Sequence, residues 1–379
     1  MVKVRVGFIG LFGIANHHLR EVKATPELEL GAVCDINETL ASSWSEDQQV
    51  PWYRNYQDLV ESKDCDFVIV SAPHYLHCDI ACAAMEAGKP VIIQKPMCLT
   101  VAEADRIIAT AKRTGVKVGT YHTAHTSEWD AITMVRSGQL GHIMRFSFDI
   151  HAARGMSYYN SGPWRGKWAT EGSGALSNQR IHDINRMQSL NGAVAEVVSC
   201  TLANMGHPGT EVEDACAATL RFENGSFGLF HTSLYTALPL SRYEIVGNEG
   251  CIVVNDQERK WGKLAFPMRD YLLQPKAARK PGATLEDAPR PGLTWEPLPA
   301  VEQPMETTRW FALSVAEDKP IQAPPEFALR DIEVWNAMIL SHFRNKPVKL
   351  PVDRGEYDEL FEELKAGKHD LHWPAPWLA

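Results

Sequence analysis

Five short apolar runs, each separated from the next by a helical pattern, fill the first 122 residues and require a parallel sheet covered on both faces. The runs are Val4 to Ile9, Leu28 to Cys34, Asp66 to Ser71, Val91 to Gln94 and Lys117 to Tyr121. Pro26 stops the first helix after Thr25, the helix from His77 to Ala87 ends at Gly88, and Thr100 caps a helix running to Arg113. The fourth run closes on Gln94-Lys95-Pro96. It therefore sets a lysine at the carboxyl end of an apolar strand, where open α/β sheets hold ligands.

The chain has 379 residues, more than one ordinary core accommodates, so two domains are expected, at 1–122 and 123–379. The pattern changes after the first of them. A helix near Ser127 to Ser137 precedes long strand-like runs at 142–152, 196–205, 215–235 and 242–254. Asn224-Gly225 reads as a two-residue hairpin turn with both residues at positive φ. This half predicts an open antiparallel sheet with a helix over 175–192 against one face. Residues 256–304 are rich in proline and charge and predict loops, followed by helices at Thr307 to Glu317 and Glu326 to Asn345. The fold class is α/β: a doubly wound Rossmann domain, then an α+β domain with an open, mainly antiparallel sheet.

A formal charge of −9 argues against a nucleic-acid partner. No stretch reaches bilayer length, and MVKVRVGFIG carries no signal core, so no membrane partner is expected. The eight cysteines form no C-x-x-C pair, a pattern of reduced thiols in a cytoplasm.

GFIGLFGIA links the first strand to the first helix. Glycines there let backbone N–H groups approach a pyrophosphate at the positive helix end. Gly10 and Ala15 fit the first and third positions of G-x-G-x-x-G/A, Phe12 stands in the second, and Gly13 and Ile14 follow. A tight strand-to-helix turn is the plainer alternative. Asp35 ends the second strand, where it would accept from a ribose hydroxyl and repel a 2′-phosphate, favouring NAD over NADP. Its alternative is a turn or a cap for the helix over 37–46. On a helical wheel Asn178, His182, Asn185 and Ser189 form a polar stripe within about 60°, opposite Leu176, Ile184, Met187 and Leu190. A solvated helix face would look the same.

His122 and Tyr121 end the fifth strand and are expected to line the nicotinamide pocket. His122, His125 and His182 lack a carboxylate or cysteine at zinc-like spacing, so no metal is expected. Tyr158, Tyr159, Trp164 and Arg165 suit stacking on a sugar ring, or packing on their own domain or a neighbouring subunit.

The order of the Gly-rich turn, Asp35, SAPHYLH (71–77), AMEAGKPVIIQKP (84–96), TVAEADRI (100–107), WRGKWATEGSGALSNQRIH (164–182) and VEDACAATLRFENGSFG (212–228) resembles the glucose–fructose oxidoreductase, inositol dehydrogenase and MocA family. The resemblance covers most of the chain. It implies a nicotinamide cofactor between two domains and hydride exchange with a sugar or cyclitol carbon. It also implies a cofactor set of Gly10, Phe12, Gly13, Ile14, Asp35, Ser71, Ala72, His74, His77, Gln94, Lys95 and His122. Lys95 and His182 would be catalytic with Asn178, and His122, Tyr158, Trp164 and Arg165 would join them around the substrate. The family's Glu-Lys-Pro is here Gln94-Lys95-Pro96, and two family aspartates are Asn178 and Asn185, although some similar members also carry Asn-Gln at 178–179. With carboxylates absent at 94 and 178, Lys95 should lose its proton at lower pH than in a Glu-Lys-Pro relative.

The expectation is an NAD-dependent sugar or cyclitol dehydrogenase, cytoplasmic, and a homo-oligomer through its second sheet. Two alternatives stay open: an NAD-recycling enzyme that cleaves or epimerises a glycoside through transient oxidation, and a non-catalytic NAD or sugar sensor.

Overall fold

The structure, a computed structural model, describes residues 3–122, 128–238, 240–273 and 290–373. Strands β1 (Val4–Ile9), β2 (Leu28–Cys34), β3 (Trp52–Tyr53), β4 (Phe67–Val70), β5 (Val91–Ile93) and β6 (Val118–Thr120) form a parallel sheet in the order β3-β2-β1-β4-β5-β6. Both faces are covered, so every residue of β4, β5 and β6 is buried, as continuous β-branched runs require.

The register then fixes the site. Gly10 N donates to Cys34 O (2.9 Å), Ser71 N to Ile9 O (2.8 Å), Gln94 N to Val70 O (2.9 Å) and Tyr121 N to Ile93 O (3.0 Å). The turns after four strands therefore start side by side, at the point where the strand order reverses between β1 and β4. Thr100 caps the helix Val101–Thr114 in a reciprocal capping box with Glu103, and Gly115 ends it at φ +69°.

The second sheet has nine strands: β7 (Ile143–His151), β8 (Val194–Ala203), β9 (Ala215–Phe222), β10 (Phe227–Ser233), β11 (Arg242–Gly247), β12 (Gly250–Asn255), β13 (Arg259–Leu264), β14 (Leu293–Pro297) and β15 (Val348–Lys349). Their order is β14-β13-β12-β11-β7-β10-β9-β8-β15. Phe146, Phe148, Phe222, Phe230, Tyr243 and Ile245 are buried in one core with Ile184 and Met187 of the helix Ile181–Asn191 and Trp335 of the helix Pro325–Arg344. Phe227 and Leu229, on the opposite face, are exposed.

The second sheet is mainly antiparallel as expected, with β7 and β10 its one parallel pair among the described strands. Other details need correction. The proline-rich stretch contains β13 and β14, which no apolar alternation announces. At the hairpin only Gly225 has positive φ, and the loop between β9 and β10 spans 223–226. The helix Thr307–Ala316, expected in the second domain, packs on the first sheet: Phe311 shares a core with Val6, Phe67 and Ile92, and Arg309 pairs with Glu27 at 2.6 Å.

Candidate active site

At the first turn Gly10 has φ +87°, and a Cβ there would come within 2.6 Å of Ala72 N, so only glycine fits. Gly13 has φ +65° with open space around it, while Phe12 turns its ring outward and is 68% exposed. Asp35 Oδ2 accepts from Leu11 N (2.9 Å) and its Oδ1 from Asn37 N (2.8 Å), which ties the end of β2 to the turn. Asn37, not Asp35, caps the helix Glu38–Gln48, and Asp35 keeps further lone pairs for a hydroxyl. The buried Ser71 Oγ has no hydrogen-bond partner among the described residues. A glycine cradle at a helix start, a strand-end carboxylate and an orphaned hydroxyl together fit a dinucleotide.

Beside this turn lies a cavity of about 350 Å³ whose walls include Ile14, His18, Gln94, Lys95, Tyr121 and His182. Gln94 Oε1 accepts from Lys95 N (3.0 Å), which leaves Nε2 to donate to His18 Nε2. The remaining His18 proton therefore sits on Nδ1, facing Glu21 Oε2 at 2.8 Å. Burial alone would raise the Glu21 pKa, yet His18 and Thr308 hold it down at about 2. Burial pushes its neighbour Glu306, at the cavity rim, up to about 7, with the Glu21 charge adding to the effect.

Lys95 reaches across to the second domain. Its Nζ donates to Asn178 O (2.6 Å) and to Asn178 Oδ1 (3.2 Å). Burial lowers its pKa to about 8; Arg165 and Arg154 act in the same direction and Glu171 opposes them. The segment holding Asn178 is not a regular helix. Ala175–Gln179 forms a π-turn closed by Arg180 N to Ala175 O (2.8 Å), and the α-helix begins only at Ile181. Such wide turns recur at functional sites because they re-aim side chains.

The expected polar stripe divides between His182 and Asn185, inside the regular helix Ile181–Asn191. Asn178 and His182 face the Lys95 side, whereas Asn185 is buried and donates to Asp331 Oδ2 at 2.8 Å. The stripe is thus neither continuous nor solvated.

Around Asn178 the aromatic loop closes inward. Asn178 Nδ2 donates to Tyr158 OH (2.7 Å) and to Glu171 Oε1 (2.7 Å). Arg165 donates to the same phenol oxygen and stacks over the Tyr158 and Trp164 rings at 4.2 and 4.4 Å. Within the loop Arg165 and Tyr158 bond to each other, and the Trp164 ring meets His74 of the first domain.

Three histidines do not meet the cavity as expected. His122 is buried; its Nε2 accepts from Met97 N (2.9 Å) and its Nδ1 faces Asp331 Oδ2 (3.2 Å). His77 is braced between Ala72 O (2.7 Å) and Pro96 O (2.8 Å), so it supports the loops after β4 and β5 from behind. His74 lies against Glu171 O (3.1 Å) and the edge of Trp164, and burial lowers its pKa. His125 lies outside the described residues. Among the described residues one His/Asp group has metal-like spacing: Asp149, His151 and His231, with ligand atoms within 4.8 Å, on the outer face of the second sheet. Asp149 Oδ1 accepts from both imidazoles at 2.7 Å, which accounts for the cluster without an ion.

Sequence reasoning missed Glu171, His18 and Asp331. Glu171 stood inside a quoted motif, but a single acid before Gly-Ser-Gly carries no periodic signal.

Residues 4–122 match the model of an oxidoreductase family with an NAD-binding Rossmann fold, and residues 130–253 match that of the GFO/IDH/MocA C-terminal domain. A 1,5-anhydro-D-fructose reductase of Ensifer adhaerens is 30% identical over 204 residues, 52% of this chain and 59% of that protein. A glycosyl hydrolase family 109 protein of Shewanella putrefaciens is 30% identical over 189 residues, 46% of this chain and 41% of that protein. The alignments thus span about half the length of these curated relatives. Among solved structures, the WlbA dehydrogenase from Bordetella pertussis, in complex with NADH and UDP-GlcNAcA, superposes with a TM-score of 0.77 at 20% identity, covering 93% of this chain and all of that one. The chain belongs to the GFO/IDH/MocA family of NAD-binding oxidoreductases.

Proposed function

We propose that this protein is an NAD-dependent dehydrogenase or reductase acting on a hydroxyl or keto carbon of a sugar, glycoside or cyclitol. The observation that carries the reading is the convergence of Lys95 and His182 on one cavity beside the phosphate turn. Gly10, Gly13, Asp35 and Ser71 would hold the dinucleotide, and Asp35 would repel a 2′-phosphate. The bound nicotinamide supplies the hydride chemistry.

This chain's own residues then handle the proton and the charge. Lys95, held by the Asn178 oxygens, would hydrogen-bond the reacting oxygen and stabilise the alkoxide. His182 would take the hydroxyl proton in oxidation and return it in reduction. Because the Lys95 pKa lies near 8, the ammonium is mostly present at neutral pH and is lost above that value. In this role Lys95 makes the rate fall as pH rises through about 8; a lysine acting as the base would make oxidation rise instead. Tyr158, Trp164 and Arg165 would wall the substrate side. The outer sheet face bearing Phe227 and Leu229 would be covered in the proposed homo-oligomer.

The likeness to the anhydrofructose reductase supports a carbohydrate substrate. The likeness to the family 109 protein favours a second reading, glycoside cleavage with NAD retained on the enzyme. One experiment tests both: identify any co-purified nucleotide by mass spectrometry, then screen sugars, cyclitols and glycosides with and without added NAD. Substrate-dependent reduction of added NAD supports the dehydrogenase. Glycoside cleavage without net reduction supports the second reading. No bound nucleotide and no turnover across the panel overturns both.

A further inference from the structure

We propose that Glu171 is the carboxylate that positions and supports Lys95, acting through the side-chain amide of Asn178. The inference rests on the catalytic role proposed for Lys95 and adds a residue to it. Its basis is the geometry of one amide. Asn178 Nδ2 donates to Glu171 Oε1 at 2.7 Å, and Asn178 Oδ1 accepts from Lys95 Nζ at 3.2 Å. An ionised carboxylate only accepts and an ammonium only donates, so the two charges leave the amide a single orientation. Flipped, it would present N–H groups to the ammonium and oxygen to the carboxylate. Glu171 thus aims the amide dipole at Lys95 and places a negative charge behind it.

Glu171 is suited to this and to little else nearby. It is 1% exposed, on the short helix Trp168–Glu171, and its Oε2 accepts from Gly166 N. Arg165 Nη1 pairs with Oε1 at 3.7 Å, without a hydrogen bond, and its charge favours the ionised carboxylate. Burial raises the Glu171 pKa to about 7, so the group changes charge in the range where Lys95 does. Other titratable or charged groups also face the pair. Arg154, Arg165 and His74 bear on Lys95 or the Glu171 backbone, Glu213, Tyr158 and Tyr159 surround the carboxyl, and His182 shares the cavity wall with Lys95. Among these Glu171 is the acid whose charge opposes the loss of the Lys95 proton. The carboxylate absent at 178 therefore stands one hydrogen bond further back.

The test is the pH dependence of turnover on the substrate identified by the panel, in wild type, Glu171→Gln, Asn178→Asp and the double variant. Glu171→Gln should move the high-pH limb down by about one unit, the scale of one charge at this range in a protein interior. It should also lower kcat at neutral pH more than it changes KM. Asn178→Asp should move the limb up. The double variant, with its carboxylate at 178 instead of 171, should return the limb towards the wild-type position. A residue that merely held the loop would lower activity at every pH and leave the limb in place, and rescue by Asn178→Asp would fail. An unmoved limb in Glu171→Gln, with Lys95→Met inactive, overturns this inference and leaves the dehydrogenase reading intact. Activity retained in Lys95→Met overturns that reading itself. Should Glu171→Gln not fold, Glu171→Asp, which keeps the charge but shortens its reach, should move the limb down by a smaller amount; an unmoved limb there overturns the inference equally.

Discussion

Two buried carboxylates, each 1% exposed, sit on either side of the Asn178–Asn185 segment, and they serve opposite ends. Asp331, on the helix Pro325–Arg344, takes Asn185 Nδ2 and Gln188 Nε2 at 2.8 Å and faces His122 Nδ1 at 3.2 Å. Its partners end in the interior, so it ties the end of β6, the helix Ile181–Asn191 and its own helix into one unit. Glu171 takes a backbone N–H and one amide, and that amide leads to Lys95 and the cavity. Equal burial therefore does not assign equal roles. What separates the two acids is where the chain of donors beyond each one ends.

The contrast can be broken by substitution. Asp331→Ala should give the largest effect, since three buried groups lose their acceptor at once. We expect a loss of stability of about 3 kcal/mol or more in denaturant titration, with kcat of the folded fraction changed only a few-fold. A large loss of kcat at unchanged stability would show that Asp331 belongs to the site. His182→Ala should do the reverse: turnover falls by about a hundredfold, the scale of a positioned acid–base group, while the unfolding midpoint and NAD binding stay close to wild type.

The phosphate turn offers a smaller effect that sharpens the picture of the cofactor side. Gly13 has φ +65°, so Gly13→Val strains the backbone where a close approach is needed, whereas the outward ring of Phe12 touches little. Gly13→Val should weaken NAD binding more than Phe12→Gly in a fluorescence titration. The opposite order would mean that Phe12 contacts the cofactor. The smallest effect concerns Asp35→Ser, which should narrow the preference for NAD over NADP. A wild type that already prefers NADP contradicts the role given to Asp35.

The first sheet was legible because parallel strands buried on both faces leave continuous β-branched runs, as in Val68-Ile69-Val70 and Val91-Ile92-Ile93. Strand β3 escaped notice because two residues, Trp52 and Tyr53, establish no period. β14 escaped because it is the sheet edge, where every residue is exposed and nothing selects an apolar alternation, and β13 beside it buries only Trp261 and Gly262 among charged neighbours. Lys95 was legible from its place at a strand end. The wheel through Asn178, His182 and Asn185 groups residues by angle alone: Asn178 lies in the π-turn Ala175–Gln179, outside the regular helix, and Asn185 inside it meets Asp331, a partner that no wheel records. Glu171 and Asp331 were illegible for a common reason. A buried acid is defined by partners far away in sequence, Asp331 by residues at 122, 185 and 188, and no local pattern records them.

The most direct test of the central claim is the turnover of Lys95→Met against wild type, measured by NADH absorbance on the substrate that the panel identifies. The account predicts a loss of at least about a hundredfold with NAD affinity and the unfolding midpoint nearly unchanged, because Lys95 acts on the reacting oxygen and holds no phosphate. Full activity in Lys95→Met would contradict it.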